Sequence, residues 1–163
     1  MVKDRIVVVD DEENVLYSFR RLFETDGVEV VTFREPAKAE AYLAVEDAGC
    51  VLTDVRFAST APETDGIALL RRLRAGKPHR LVVVMTAFGT TDTVIQAMKE
   101  GAYEYILKPF DLDELRRIVR SALDESRAMS RAVALGDPDG GSAAAADAEG
   151  DRRGDQISRQ TLR

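Results

Sequence analysis

"RLVVVMTAFGTTDTVIQAMKEGAYEYILKPF", Arg80 to Phe110, puts a strand, a helix and a second strand in succession. The run 80–86 is β-branched and apolar without strict alternation, as expected of a strand buried on both faces. Val94, Ala97 and Met98 then recur at helical spacing, and Gly101 closes that helix. "YEYILK" (103–108) reads as a strand again. A helix between two such strands carries the chain back, so that the second strand runs parallel to the first.

The same unit repeats upstream. "RIVVVD" (5–10), "VEVVTF" (28–33) and "CVLTD" (50–54) are further strands of this kind. Leu16, Phe19, Leu22 and Phe23 share one face of a first helix. Pro36 opens a second, with Ala39, Tyr42 and Leu43 on its apolar side. Ile67, Leu70 and Leu73 mark a third that ends near Gly76. Leu115, Ile118, Val119, Ala122 and Leu123 mark a fifth. Five strand–helix alternations predict an α/β fold with a parallel sheet and helices on both faces. Ligands of such sheets sit outside the carboxyl ends of the strands.

Length and charge narrow the class. The 163 residues suit one domain with a tail. A net charge of −6 argues against direct nucleic-acid binding, because phosphate contacts need a basic face. The single cysteine, Cys50, excludes an internal disulfide and reads as a small buried residue. "MVKDRIVVVDDEE" turns acidic too soon for a signal peptide, and no apolar run approaches membrane-spanning length. A cytoplasmic protein with no membrane contact is expected. Beyond residue 126 the chain is rich in Gly, Ala and Asp, so 127–163 is expected to be a flexible or disordered tail or linker.

Polar residues mark the strand ends. The first strand runs into Asp10 and Asp11, the third ends at Asp54, the fourth at Thr86, and the fifth at Lys108-Pro109. A parallel sheet brings them to one edge. Clustered carboxylates repel unless a cation or protons relieve them, and oxygen-only ligands favour Mg²⁺ or a similar hard ion such as Mn²⁺. Lys108 supplies counter-charge for an anion, and the Thr86 hydroxyl can bond a phosphoryl oxygen. The set fits phosphoryl transfer, in which an aspartate can be the nucleophile.

"VVVDDEENV", "LTDVR", "VMTAFGT" and "YEYILKPF", in this order and spacing, resemble the motifs of receiver domains of bacterial two-component response regulators, and the resemblance covers about residues 4–125. It implies a flavodoxin-like (βα)5 three-layer sandwich with strand order 2-1-3-4-5, and a receiver domain over 1–126. Asp54 would be the phosphoacceptor. Asp10, Asp11, Asp54 and the backbone carbonyl of Arg56 would hold Mg²⁺. Thr86 and Lys108 would bind the phosphoryl group, and Tyr105 would couple its rotamer to Thr86. Pro109 would follow a cis peptide bond. Arg56 and Phe88 occupy the positions that tune dephosphorylation; neither orients an attacking water, so slow decay is expected. The donor would be a phosphohistidine on a sensor histidine kinase or phosphotransfer protein. The face of the fourth helix, fifth strand and fifth helix would dimerise or dock on a partner. "MTAFGTTDTVIQAMKEGAYEYILKPFDLDEL" looks most like receivers of the nitrogen-regulation type of transcriptional activator, usually followed by an ATPase and a DNA-binding domain. No GxxxxGK[ST] occurs here.

Other readings of the same residues are weaker. Asp10-Asp11 could act as an N-cap pair, which is compatible with metal binding. A haloacid-dehalogenase-type phosphatase needs a second acid two residues after its nucleophile. That position is Arg56 after Asp54; after Asp10 it is Glu12, which has no matching partners. His79, the one histidine, reads as a surface residue. A binding module that never turns over phosphate would not need the full set Asp10, Asp11, Asp54, Thr86 and Lys108. One stretch departs from the family pattern: "VRFASTAPETDG" (55–66) is a few residues longer than usual, with Phe57-Ala58 where Met-Pro is typical. It reads as a tolerated insertion, or as a segment in which Glu63 or Asp65 selects the kinase or shields the acyl phosphate.

Overall fold

Five parallel strands form one sheet in the order β2-β1-β3-β4-β5. The structure is a computed structural model that describes residues 4–57, 65–87 and 91–136. The strands are β1 (Arg5–Val9), β2 (Glu29–Phe33), β3 (Cys50–Asp54), β4 (Leu81–Thr86) and β5 (Glu104–Leu107). The helices between and after them are α1 (Glu13–Glu24), α2 (Pro36–Val45), α3 (Asp65–Gly76), α4 (Thr91–Lys99) and α5 (Leu112–Ala134). This is the expected flavodoxin-like sandwich, with each strand within a residue or two of its predicted bounds. Segment 58–64, Phe88 and the tail beyond 136 lie outside the described residues.

Alternation along the central strands separates two cores. Val7, Val9, Val51, Val82 and Val84 pack with Ala39 and Leu43 of α2, Leu70 and Leu73 of α3, and Ala97 of α4. Ile6, Val8, Leu52 and Val83, all fully buried, take the opposite face. The buried stripes of α1 (Leu16, Phe19, Phe23) and α5 (Leu115, Ile118, Val119, Ala122, Leu123) belong to that side. There Phe19 meets Phe110 edge-on at 5.5 Å. Burial on both faces holds for β1, β3 and β4 only. β2 and β5 are edge strands, half-buried or exposed along most of their length.

Cys50 is fully buried, and burial pushes its thiol up to about 12. A thiol so far from ionisation is a poor nucleophile. We expect a disulfide reagent to label Cys50 only as fast as the protein unfolds, and at once in strong denaturant.

The lower edge of the sheet holds an anchor that the sequence did not announce. Arg80, just before β4, is 4% exposed. Its Nη2 donates to the Leu43 carbonyl at 3.0 Å and to Asp47 Oδ1 at 3.1 Å. His79 Nε2 lies 2.7 Å from Asp47 Oδ2, so this histidine fastens the α2–β3 connection rather than standing alone on the surface. Burial works to raise the Asp47 pKa, but His79, the Ala48 N–H and Arg80 outweigh it and hold the carboxyl below its ordinary value.

The chain divides into two compact units, residues 1–127 and 128–163. Of the second, residues 128–136 are described. They are helical to Ala134, beyond residue 126 where the sequence reading begins the tail, because "AMSRAVA" has good helix formers and no breaker. Gly136 then turns the chain with φ 75°, its N–H donating to the Val133 carbonyl.

Candidate functional site

Parallel pairing places the ends of β1, β3, β4 and β5 side by side. Asp54 is the last residue of β3, in register with Met85, one residue before Thr86 at the end of β4. Thr86 is in register with Leu107, and the Lys108 N–H donates to the Thr86 carbonyl at 2.9 Å. Asp10 follows β1 directly, and its N–H donates to the Phe33 carbonyl at 3.0 Å.

The side chains converge as the strand ends require. Asp10 is 0% exposed, Thr86 6% and Asp54 8%. Lys108 Nζ reaches Asp10 Oδ2 at 2.6 Å and Asp54 Oδ2 at 3.1 Å. Asp10 Oδ1 accepts the Glu12 N–H at 2.9 Å, and Asp54 Oδ1 accepts the Arg56 N–H at 3.3 Å. Asp10 thus braces the turn before α1 rather than capping the helix. The N-cap is Glu12, with no side-chain cap bond.

Burial raises the Asp10 pKa; the Lys108 ammonium and the Glu12 N–H work against it and do not fully compensate. Burial also works to lower Lys108, but its bond to Asp10 and the charge of Asp54 win, and its pKa is raised. The lysine is firmly cationic, and desolvation works against the charge of the fully buried Asp10. Asp10, Asp11, Glu12 and Asp54 each offer a carboxylate oxygen, all four within 4.8 Å of one another. Lys108 pairs with Asp10, Glu12 and Asp54 of this group, and a cluster of carboxylate oxygens is a donor set suited to a hard divalent cation. Three of the four were expected. Glu12 was weighed only as a phosphatase partner of Asp10, and its own place in the cluster was missed. Its extended backbone at φ −88°, ψ 111°, which the local sequence does not fix, keeps a third successive acid at the mouth of the sheet.

The family described as response regulator receiver domain matches residues 6–120. The chain belongs to that family. This receiver is 38% identical over 120 residues to the regulatory protein AtoC of Escherichia coli K12, covering 74% of this chain and 25% of AtoC. It is 31% identical over 140 residues to the DNA-binding transcriptional regulator NtrC of the same organism, covering 85% of this chain and 29% of NtrC. A crystal structure of a receiver domain protein from Clostridium thermocellum superposes with a TM-score of 0.69 at 30% identity, covering 77% of this chain and 98% of that one. The chain spans about a quarter of the length of these curated relatives. The likeness to NtrC fits the nitrogen-regulation type read from the sequence.

The remaining expected residues of this receiver fall as follows. The Lys108–Pro109 peptide is cis. Tyr105 lies on β5 in register with Val84, on the same face as Thr86, and the residue is 37% exposed. Arg56 follows β3 and is exposed. Phe88 lies outside the described residues.

Proposed function

We propose that this receiver accepts a phosphoryl group on Asp54 from a phosphohistidine of a sensor kinase or phosphotransfer protein. The observation that carries the reading is the Asp54 carboxylate held 3.1 Å from Lys108 at the mouth of the sheet, beside the fully buried Asp10. An Asp54 oxygen attacks phosphorus, the P–N bond to the donor imidazole breaks, and an acyl phosphate remains on Asp54. Lys108 pairs with the phosphoryl oxygens, and the Thr86 hydroxyl donates to one of them. Asp10, Asp11, Asp54 and the Arg56 carbonyl would hold Mg²⁺ or Mn²⁺, and Glu12 offers a further carboxylate oxygen within 4.8 Å of the other acids. The bound cation supplies charge neutralisation between carboxylates and phosphoryl oxygens.

Engagement of Thr86 biases a two-state equilibrium in which Tyr105 changes its exposure. The readout face is α4, β5 and α5. Ile95, Met98, Leu107 and Leu112 are 45%, 42%, 50% and 52% exposed there, apolar area suited to a second copy or an output partner. A phosphohistidine donor of this kind would meet the receiver in the cytoplasm; among the described residues no helix is long and apolar enough to cross a membrane. Control of transcription, as in relatives named as transcriptional regulators, would run through an output domain or an output partner.

Incubation of the full chain with Mg²⁺ and acetyl phosphate is expected to add one phosphoryl group to the intact mass, and Asp54→Asn to add none. An unchanged wild-type mass would mark a binding module; rapid release of many phosphates per chain would mark a phosphatase. Neither Arg56 nor Phe88, the residues at the two positions that the receiver resemblance assigns to tuning dephosphorylation, can orient an attacking water, so decay of the acyl phosphate is expected to be slow and to quicken in Phe88→Glu; a wild type that decays faster than Phe88→Glu contradicts this.

A further inference from the structure

The turn that carries Asp10 and Asp11 has no conventional helix cap, so something else must hold it. From inside, Asp10 spends one carboxylate oxygen on the Glu12 N–H at 2.9 Å and the other on Lys108 at 2.6 Å. Those oxygens belong to a side chain that the proposed function assigns to a cation. The inside hold and the ligand role compete for the same atoms. A second hold comes from outside and does not compete. Arg34, the residue after β2, donates from Nη2 to the Asp11 main-chain carbonyl at 3.0 Å. Its Nε also lies 3.8 Å from Glu13 Oε2. The base of this brace is fixed, because the neighbouring Phe33 carbonyl accepts the Asp10 N–H at 3.0 Å.

We propose that Arg34 is a positioning residue of the phosphoacceptor site: its guanidinium braces the Asp11 carbonyl and so sets the turn that presents Asp10 and Asp11 to the divalent cation. The inference rests on the phosphoacceptor reading and adds to it a residue outside the ligand set. The ion pair with Glu13 contributes little, since both side chains are about two-thirds exposed at 63% and 65%. The bond to the carbonyl is the working contact. It is charge-assisted on the donor side and restrains a main-chain atom adjacent to two ligands.

The sign of the effect separates this role from a simple charge effect. As a through-space charge, Arg34 would repel a cation, and its removal would tighten binding. As a brace, its removal loosens the turn and weakens binding. Mn²⁺ binding to the full chain, followed by the electron spin resonance of free Mn²⁺, reads this directly. Arg34→Ala is expected to weaken binding roughly three- to tenfold, the affinity equivalent of one net hydrogen bond. Arg34→Lys, which keeps one donor, is expected to recover part of the loss. The thermal midpoint without cation should fall by a few degrees at most, as for loss of one exposed hydrogen bond, and the rate of acyl phosphate formation should return to the wild-type value at saturating Mg²⁺. Arg34→Gln serves as a second variant should the alanine protein fold poorly. Equal or tighter Mn²⁺ binding by Arg34→Ala, with wild type still binding Mn²⁺ and taking up phosphoryl, overturns the brace alone. Wild type that binds no Mn²⁺ overturns the brace and the proposed function together.

Discussion

Gly66→Ala is expected to cost about 3 kcal/mol of stability or more, at the top of the range for overpacking, and to abolish uptake of a phosphoryl group. A Cβ at Gly66 would stand 2.1 Å from the Asp54 carbonyl oxygen, 2.6 Å from the Val55 Cα and 2.9 Å from the Val55 carbonyl oxygen. These are main-chain atoms, so no rotamer change relieves the contact. The first turn of α3 is fastened in place, since the Gly66 N–H donates to the Val55 carbonyl at 3.2 Å. Either α3 must lift from the sheet or the end of β3 must move. The second movement displaces Asp54 from Lys108. Urea unfolding of wild type and Gly66→Ala gives the stability difference, and the acetyl phosphate reaction gives the functional one. An alanine protein of wild-type stability would mean that α3 does not start against the β3 backbone.

Asp10→Asn is expected to stabilise the cation-free protein while weakening Mn²⁺ binding about tenfold or more. Asp10 is fully buried, and burial, the largest influence on it, holds its pKa above the ordinary value despite Lys108 and the Glu12 N–H. A carboxyl raised in the folded state favours folding when protonated. That contribution is fully present below the unfolded-state pKa, about 3.9, and is lost as pH rises through the raised folded value. Asparagine keeps the shape and an acceptor for the Glu12 N–H without the charge. The variant should therefore melt above wild type at pH 7, and the gap should close as pH falls toward 4. Lys108 retains Asp54 at 3.1 Å in the variant, which limits the loss on its side. Such an exchange of stability for function is common at sites that concentrate like charge. A variant that melts below wild type at pH 7 would mean that the ammonium outweighs the burial of Asp10.

The fold was legible because its signals are local. Apolar runs of strand length, Pro36 at the first position of α2, and Gly101 at φ 98° after α4 all act on the chain near themselves. The convergence of Asp10, Asp54, Thr86 and Lys108 followed from one further step, that parallel strands end at one edge. What stayed hidden depends on tertiary approach. The buried Arg80 reads as an ordinary charged residue until α2 and the α2–β3 connection close over it. In the sequence Gly66 only ends the long 55–66 segment; its contact with the β3 backbone needs the helix and strand in place. Met98 was assigned to the apolar side of α4, yet it is 42% exposed because only Ala97 of that helix is fully covered. Glu12 and Arg34 act through a turn whose course the local sequence does not fix.

The central claim is that the phosphoryl group resides on the carboxylate of Asp54. Borohydride reduces an acyl phosphate of aspartate to homoserine, so the full chain treated with Mg²⁺ and acetyl phosphate, then reduced and digested, reports the position. Homoserine at residue 54, absent when the cation is chelated, is the predicted result. Homoserine at Asp10 or Asp11, or none in a protein that has gained a phosphoryl group, would contradict it.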